Sequence, residues 1–217
     1  IKLFKGEPLL SWSIKQALGS SFKKDMRIIV STDSLIYGKI ALKYGAEVPF
    51  LRPKEISQDL STDKEFIIYT VNRLEREQDY KPELILQLRP TYPLRDIKII
   101  DNCIQTFIDN YTKYDSLRTV VPFNKSPYKM YTLEDNNLKP LFKNANLKNK
   151  IYKEPYNECR QNLPETYLHN GYVDILKTSI LKNDVISGDK IYGYIMNEDN
   201  IDDIDYLEDW VNCENKN

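Results

Sequence analysis

Leu84–Asp96 reads LILQLRPTYPLRD. The apolar run at its start lacks the polar–apolar alternation of a half-exposed strand, so it reads as a strand covered on both faces. Pro90 and Pro93 each fix a backbone φ and remove a donor, so the chain leaves the sheet after Leu88. Asp96 then stands as the cap of DIKIIDNCIQTFIDN, where Ile97, Ile100, Ile104 and Phe107 share one helical face. The unit is strand, loop, helix, with two arginines in the loop.

The same alternation extends outward from it. PLLSWSIKQALGS places Leu10, Ile14 and Leu18 at helical spacing beside Trp12, and MRIIVST is a short apolar strand. DSLIYGKIALKYG is helical and stops at Gly45, and AEVPF is a further strand. STDKEFIIYTVNRLEREQ opens on a Ser-Thr-Asp cap, with Phe66, Tyr69 and Leu74 on its apolar side. SLRTVVPF is again a strand. This order predicts an α/β fold, a mostly parallel sheet flanked by helices, of the Rossmann-like kind. Loops beyond the strand C-termini then line the ligand crevice, which places Ser31–Ser34 and Arg89–Asp96 there.

After Pro122 the sequence becomes rich in Lys, Asn and Tyr and loses any long helical pattern. Residues 122–167 read as a β-rich arm inserted within a single domain spanning 1–217. The arm is too long for a connecting loop, which points to a homodimer formed through it. Helical signals return at TSILKND and YLEDWVN, with KIYGYIM as a strand between them.

The chain has 217 residues, 29% of them charged, and a net charge of -1. That balance offers no field for nucleic acid or a membrane surface. No apolar run approaches the ~20 residues of a membrane span, and no secretory signal is visible. Cys103, Cys159 and Cys213 are far apart and form no CxxC pair, which argues against a zinc site and favours a reducing cytoplasm. His169 is the only histidine, so chemistry built on a histidine cluster or a Ser-His-Asp triad is not expected. The many carboxylates leave room for a hard cation such as Mg²⁺.

Four stretches could carry chemistry. In the opening loop, Arg89 and Arg95 flank Thr91, and Arg95 precedes a helix N-terminus that attracts anions. The plain alternative is a solvated turn with Arg95 paired to a carboxylate. In FLRPKEISQDLSTD, Pro53 holds Arg52 extended, and a guanidinium binds phosphate or carboxylate through two bonds; alternatively Arg52 closes a strand. In DNIDDIDYLEDW, Asp203 and Asp205 are two apart and share one side of an extended segment, suiting one Mg²⁺. The alternative is a helix N-terminus, with Asp205 as cap and Glu208 in the capping box. RQNLPETYLHNGYVDIL gathers Arg160, Gln161, His169 and Asn170, with Asn170–Gly171 as a turn signal.

VSTDS, KYGAEVPFLRP, LRPTYPLRD, RQNLPETYLHNGYVDI and IDDIDYLEDW stand in the order seen in the acylneuraminate cytidylyltransferases, the CMP-sialic acid synthetases. The sequence resembles that family over nearly its whole length. The resemblance implies transfer of CMP from CTP to the anomeric hydroxyl of a nine-carbon α-keto acid, with pyrophosphate released and Mg²⁺ required. It implies a homodimer in which the arm completes the sugar pocket. It assigns Arg52, Thr62 and Thr91 to the nucleotide, and Arg95 to the shared loop as a catalytic residue. Asp203 and Asp205 hold the metal, and Arg89, Lys129, Arg160, Gln161 and Asn170 meet the sugar. With no base evident, the resemblance leaves the proton to a metal-bound or water-relayed path.

There are departures. Arg89 stands where the family often has Gln, Tyr92 where it has Ser, and Asp63 near an expected serine beside Ser61 and Thr62. Arg89 next to the sugar implies a substrate other than ordinary N-acetylneuraminate. The family opens with a strand and a Gly/Arg/Ser/Lys phosphate loop, and the sequence in hand starts where that loop would end. The alternatives are a nucleotidyltransferase for another nucleotide or sugar, and a truncated homologue that binds without catalysis.

Overall fold

A computed structural model describes residues 1–147, 150–197 and 203–216. In chain order its first elements are β1 (Leu3–Phe4), β2 (Glu7–Pro8), α1 (Leu9–Gly19), α2 (Leu35–Lys43) and α3 (Asp63–Gln78). There follow β3 (Leu84–Gln87), α4 (Ile97–Asp109), β4 (Ser116–Pro122), β5 (Tyr131–Glu134) and β6 (Asn137–Pro140). The chain closes with β7 (Ala145–Leu147), β8 (Lys150–Tyr152), β9 (Tyr167–Lys177), β10 (Ile191–Ile195) and α5 (Leu207–Glu214). It divides into two compact units, one of Ile1–Thr119, Gly171–Tyr194 and Ile201–Asn217, the other of Val120–Asn170 and Ile195–Asn200.

The main sheet runs β10–β4–β9–β3. β3 pairs antiparallel with β9, from Leu84 opposite Lys177 to Gln87 opposite Asp174. This pair is antiparallel within the α/β sheet that was expected to be mostly parallel. Parallel neighbours need a crossover connection, and β9 instead brings the chain back from the long excursion after β4. The expected strands in MRIIVST and AEVPF shrink to one parallel bridge, Ile29 to Glu47. Around it Glu47 N–H donates to the Ile28 carbonyl (2.7 Å), Val30 N–H to that of Glu47 (2.9 Å), and Arg52 N–H to that of Thr32 (2.8 Å).

Two apolar clusters hold the helices of the first unit. Ile67 and Val71 of α3 pack with Leu176, Ile180 and Leu181. The buried stripe of α3 is thus Ile67, Val71 and Leu74, one position round from the face expected to carry Phe66 and Tyr69. The displaced Tyr69 ring instead stacks edge-on against Phe50 at 5.7 Å. The second cluster joins Ile14 of α1 to Ala41 and Ala46. A Cβ on Gly19 would lie 2.6 Å from Ile97 Cδ1, so α1 comes close to the start of α4 there and a side chain would require the Ile97 methyl to shift. Phe4 is fully buried between Trp12 (5.5 Å) and Trp210 (5.7 Å), both edge-on, which anchors α5 and steadies the segment before it.

The second unit contains the stretch read as an arm. It holds two hairpins, β5–β6 and β7–β8. Asp135 and Asn136 turn the first with φ of 47° and 64°, the left-handed pair that a two-residue hairpin loop favours. No helix among the described residues is long and apolar enough to cross a membrane.

Candidate active site

The loop after β3 is built around Arg95, which is 5% exposed. Its Nε donates to the Tyr172 carbonyl (2.6 Å) and Nη2 to the Arg89 carbonyl (2.5 Å). Nη1 is shared among the Tyr92 carbonyl (3.1 Å), Ser13 Oγ (3.2 Å) and Gln16 Oε1 (3.2 Å). The guanidinium also lies 5.1 Å from the Tyr92 ring centre. Burial draws its pKa down to about 10. Arg95 was expected to face bound anions, but it turns inward. Proline takes donors out of the loop, the loop's carbonyls need partners, and Arg95 supplies them.

Arg89 is also engaged. Its Nη2 pairs with Asp63 Oδ2 (2.6 Å), and its Nη1 with Asp174 Oδ2 (2.7 Å) and the Gly171 carbonyl (3.2 Å). Burial works against its charge, yet the bonds and charges of Asp174 and Asp63 outweigh it and hold the pKa above the ordinary arginine value. Two carboxylates already face this guanidinium, so the expected salt link from Arg89 to the sugar is replaced by an internal one. The turn expected at Asn170–Gly171 is also absent. Both residues lie inside β9, where Gly171 takes φ +70° and a Cβ would sit 3.0 Å from Arg89 Nη1.

The same loop reaches the acidic segment before α5. Ile204 N–H donates to the Thr91 carbonyl (2.9 Å), and burial, with the nearby Asp203 carboxylate adding, pushes the pKa of the Tyr92 phenol up. Asp203 Oδ1 is buried, with no hydrogen-bond partner among the described residues. Asp205 is exposed, and the negative charge of Asp203, with burial and Asp209 adding, holds its carboxyl above the usual carboxylate range. The helix-cap alternative belongs to another residue. Asp209 Oδ2 accepts from the N–H groups of Tyr206 (2.7 Å) and Asp205 (3.2 Å), because α5 starts one residue later than the sequence suggested. The Asp203 and Asp205 carboxylates are thereby left out of the cap.

Elsewhere in the first unit, Arg52 donates from Nε to Ser57 Oγ (2.8 Å) and lies 5.3 Å from the Phe66 ring centre. None of the described hydrogen bonds engages its two Nη groups. Thr62 is occupied as the N-cap of α3. Its Oγ1 takes the Glu65 N–H (3.4 Å) and Glu65 Oε2 returns to the Thr62 N–H (2.5 Å), a capping box.

In the second unit, Lys129 Nζ donates to the Tyr156 carbonyl (3.2 Å), and Arg160 Nη2 to Asn124 Oδ1 (2.9 Å). Arg160 and Gln161 line an open concavity of about 700 Å³ with Leu163, Pro164 and Glu165. Asn170 Nδ2 contacts Met196 Sδ at 3.5 Å.

The sequence reading missed Asp174, Tyr172, Ser13 and Gln16. Only Asp174 left a signal: a lone carboxylate in the apolar run YVDIL, which needs a charged partner once buried.

A profile of the family described as Cytidylyltransferase matches residues 1–184. The chain belongs to the cytidylyltransferase family. It is 30% identical over 201 residues to the post-translational flagellin modification protein B of Campylobacter coli, covering 91% of this chain and 78% of that one. It is 30% identical to the N-acylneuraminate cytidylyltransferase of Escherichia coli O18:K1:H7, over 92% of this chain and 43% of that protein. It spans 61% of the length of a Campylobacter jejuni pseudaminic acid cytidylyltransferase, at 29% identity. Among solved structures, a CMP:2-keto-3-deoxy-manno-octonic acid synthetase complexed with CTP superimposes with a TM-score of 0.61. It is 10% identical and covers 90% of this chain and 82% of that one. The likeness confirms the Rossmann-like nucleotidyltransferase fold. For a cytidylyltransferase, the Arg89 and Asp63 departures from the family pattern become one feature, since the two residues are ion-paired.

Proposed function

We propose that the protein transfers CMP from CTP to a nonulosonic acid, a sialic-acid-like nine-carbon α-keto acid, and releases pyrophosphate. The observation that carries this reading is the joining of the strand-end loop to the acidic segment through the Thr91 carbonyl and the Ile204 N–H. It brings the carboxylate pair to the edge of the sheet where α/β enzymes bind ligands.

The donor set at that edge suits Mg²⁺. Asp203 and Asp205 offer hard oxygens two residues apart, and one buried oxygen of Asp203 has no partner among the described residues. A cation held there supplies positive charge to phosphate oxygens as the leaving pyrophosphate forms. Arg95 contributes by fixing the loop that presents Thr91, and touches no substrate. Arg52, with open Nη groups, binds nucleotide phosphate. In the second unit, Arg160 and Gln161 take the sugar carboxylate, with Lys129 and Asn170 beside them. Exposed Leu133, Leu138 and Ile151, at 65%, 59% and 71%, support burial of that unit in a homodimer. The three free cysteines suit a reducing cytoplasm.

Pyrophosphate release tests the reading, with CTP, UTP, ATP and GTP each combined with sialic, pseudaminic and legionaminic acids. Release that needs both CTP and one of these acids is expected. Release with another nucleotide points to a different nucleotidyltransferase, and binding without release to a non-catalytic homologue.

A further inference from the structure

We infer that Ser57 is a positioning residue that holds the Arg52 guanidinium as a two-pronged fork for nucleotide phosphate. This rests on the reading of Arg52 as a phosphate ligand and adds to it the residue that aims the group.

Arg52 is held at both ends. Its backbone N–H donates to the carbonyl of the buried Thr32 (2.8 Å), and Pro53 keeps the backbone at Arg52 extended. At the far end, Nε donates to Ser57 Oγ (2.8 Å). The hydroxyl cannot turn away. Its own proton goes to the Pro53 carbonyl (2.7 Å), and the Ser57 N–H donates to the Lys54 carbonyl (3.1 Å). A hydroxyl whose proton is engaged in this way offers the guanidinium only its lone pairs. The guanidinium also lies 5.3 Å from the Phe66 ring centre, and Phe66 packs against the apolar cluster of Ile67 and Val71.

Arg73 shows what a different partner does. Its guanidinium too lies near a ring, 4.3 Å from the centre of Phe50. Its Nε, however, donates to the Glu77 carboxylate (2.7 Å) and its Nη1 to the Tyr69 hydroxyl (2.6 Å), so its charge is already met. Ser57 is neutral. It takes Nε–H and leaves the positive charge and both Nη groups to an anion. Two parallel bonds to the oxygens of one phosphate suit that edge of a guanidinium. A long side chain loses rotamer freedom when it binds, and holding it beforehand removes that cost from binding. Ser57 acts through Arg52 and touches no phosphate itself.

Plain closure of the loop is the rival role, since the Ser57 hydroxyl also bonds the Pro53 carbonyl. A double-mutant cycle separates the two. CTP binding is measured by isothermal titration calorimetry for the wild type, Ser57→Ala, Ser57→Thr, Arg52→Ala and the Ser57→Ala/Arg52→Ala double variant. Ser57→Ala should weaken CTP binding about three- to tenfold, the scale of ordering one long side chain. Ser57→Thr keeps the hydroxyl and should restore the affinity. Once Arg52 is gone, Ser57→Ala should have no further effect. The same loss from Ser57→Ala with and without Arg52 overturns the positioning role. Unchanged affinity in Ser57→Ala beside weakened affinity in Arg52→Ala also overturns it, and leaves the phosphate reading standing. Unchanged affinity in Arg52→Ala overturns the phosphate reading itself, and no CTP binding by the wild type overturns the nucleotide reading beneath both.

Discussion

The loop after β3 and the turn at Arg160 both carry arginines that look made for anions, yet they use them in opposite ways. Arg95 is almost wholly buried and spends its donors on carbonyls, a hydroxyl and an amide. Arg89 is closed by two carboxylates. Arg160 is exposed and held by a single amide oxygen, beside a concavity it helps to line. The sequence context of the first two, a proline-framed loop at a strand end, is the more suggestive of a ligand. A loop with two prolines has lost donors, and the nearest guanidinium is drawn in to serve the carbonyls. What separates a ligand arginine from an architectural one is the protein acceptors already satisfied.

The strongest way to break that contrast is at Arg95. Arg95→Met keeps much of the bulk and removes the guanidinium donors to the carbonyls of Arg89, Tyr92 and Tyr172, of which the first two keep Ser13 Oγ (3.2 Å) and Gln16 Nε2 (3.3 Å). A hydrogen bond from a charged group is worth about 1.5–3 kcal/mol, so with this partial cover a loss of roughly 3–5 kcal/mol is expected in urea denaturation. Arg95→Lys should recover only part of it, because an ammonium cannot reach acceptors spread over a planar fork. Normal stability with lost CTP turnover would instead make Arg95 a ligand.

Arg89 comes next. Arg89→Gln leaves the Asp174 carboxylate, 8% exposed at its side chain, without its guanidinium. Breaking a buried pair costs about 3–5 kcal/mol; the arginine is 28% exposed, so about 2–3 kcal/mol is the expectation after screening. Adding Asp174→Asn should return part of it, since no buried charge is then stranded. The sugar KM should stay at the wild-type value. A raised sugar KM with an unchanged melting temperature would place Arg89 back at the substrate.

Local structure in the first unit was legible because its signals are short-range. Asp96 caps α4 by accepting the Lys98 N–H (2.9 Å), and Ile100, Ile104 and Phe107 are buried as their spacing required. Thr62 closes α3 as its Ser-Thr-Asp start foretold. Strand direction was not legible, because the β3–β9 register is set by a connection of some eighty residues and not by either strand's own pattern. In the site, the Ile204–Thr91 bond that joins RPTYPLRD to the 203–205 segment left no signal in motif order. The orientation of each side chain does not follow from motif order. Arg89 is turned by Asp174, far along the chain, and Arg95 by the Tyr172 carbonyl. Such pairs become readable only when a buried polar residue is asked what satisfies it.

The smallest stability effect, and the sharpest test of the contrast, belongs to the arginines left open. Arg52→Ala and Arg160→Ala remove single side-chain bonds to Ser57 and Asn124, and such surface changes stay within about 0.5 kcal/mol. Their kinetics should differ. A charge-assisted contact is worth roughly 1.5–3 kcal/mol, or about one to two orders of magnitude in affinity. Arg52→Ala should raise the KM for CTP by that factor and spare the sugar. Arg160→Ala should raise the KM for the sugar acid and spare CTP. The melting temperature, measured on the same samples, should remain at the wild-type value in both. If either variant melts well below wild type with both KM values unchanged, its arginine is architectural like Arg95, and the count of satisfied acceptors is no guide to which guanidinium meets the substrate.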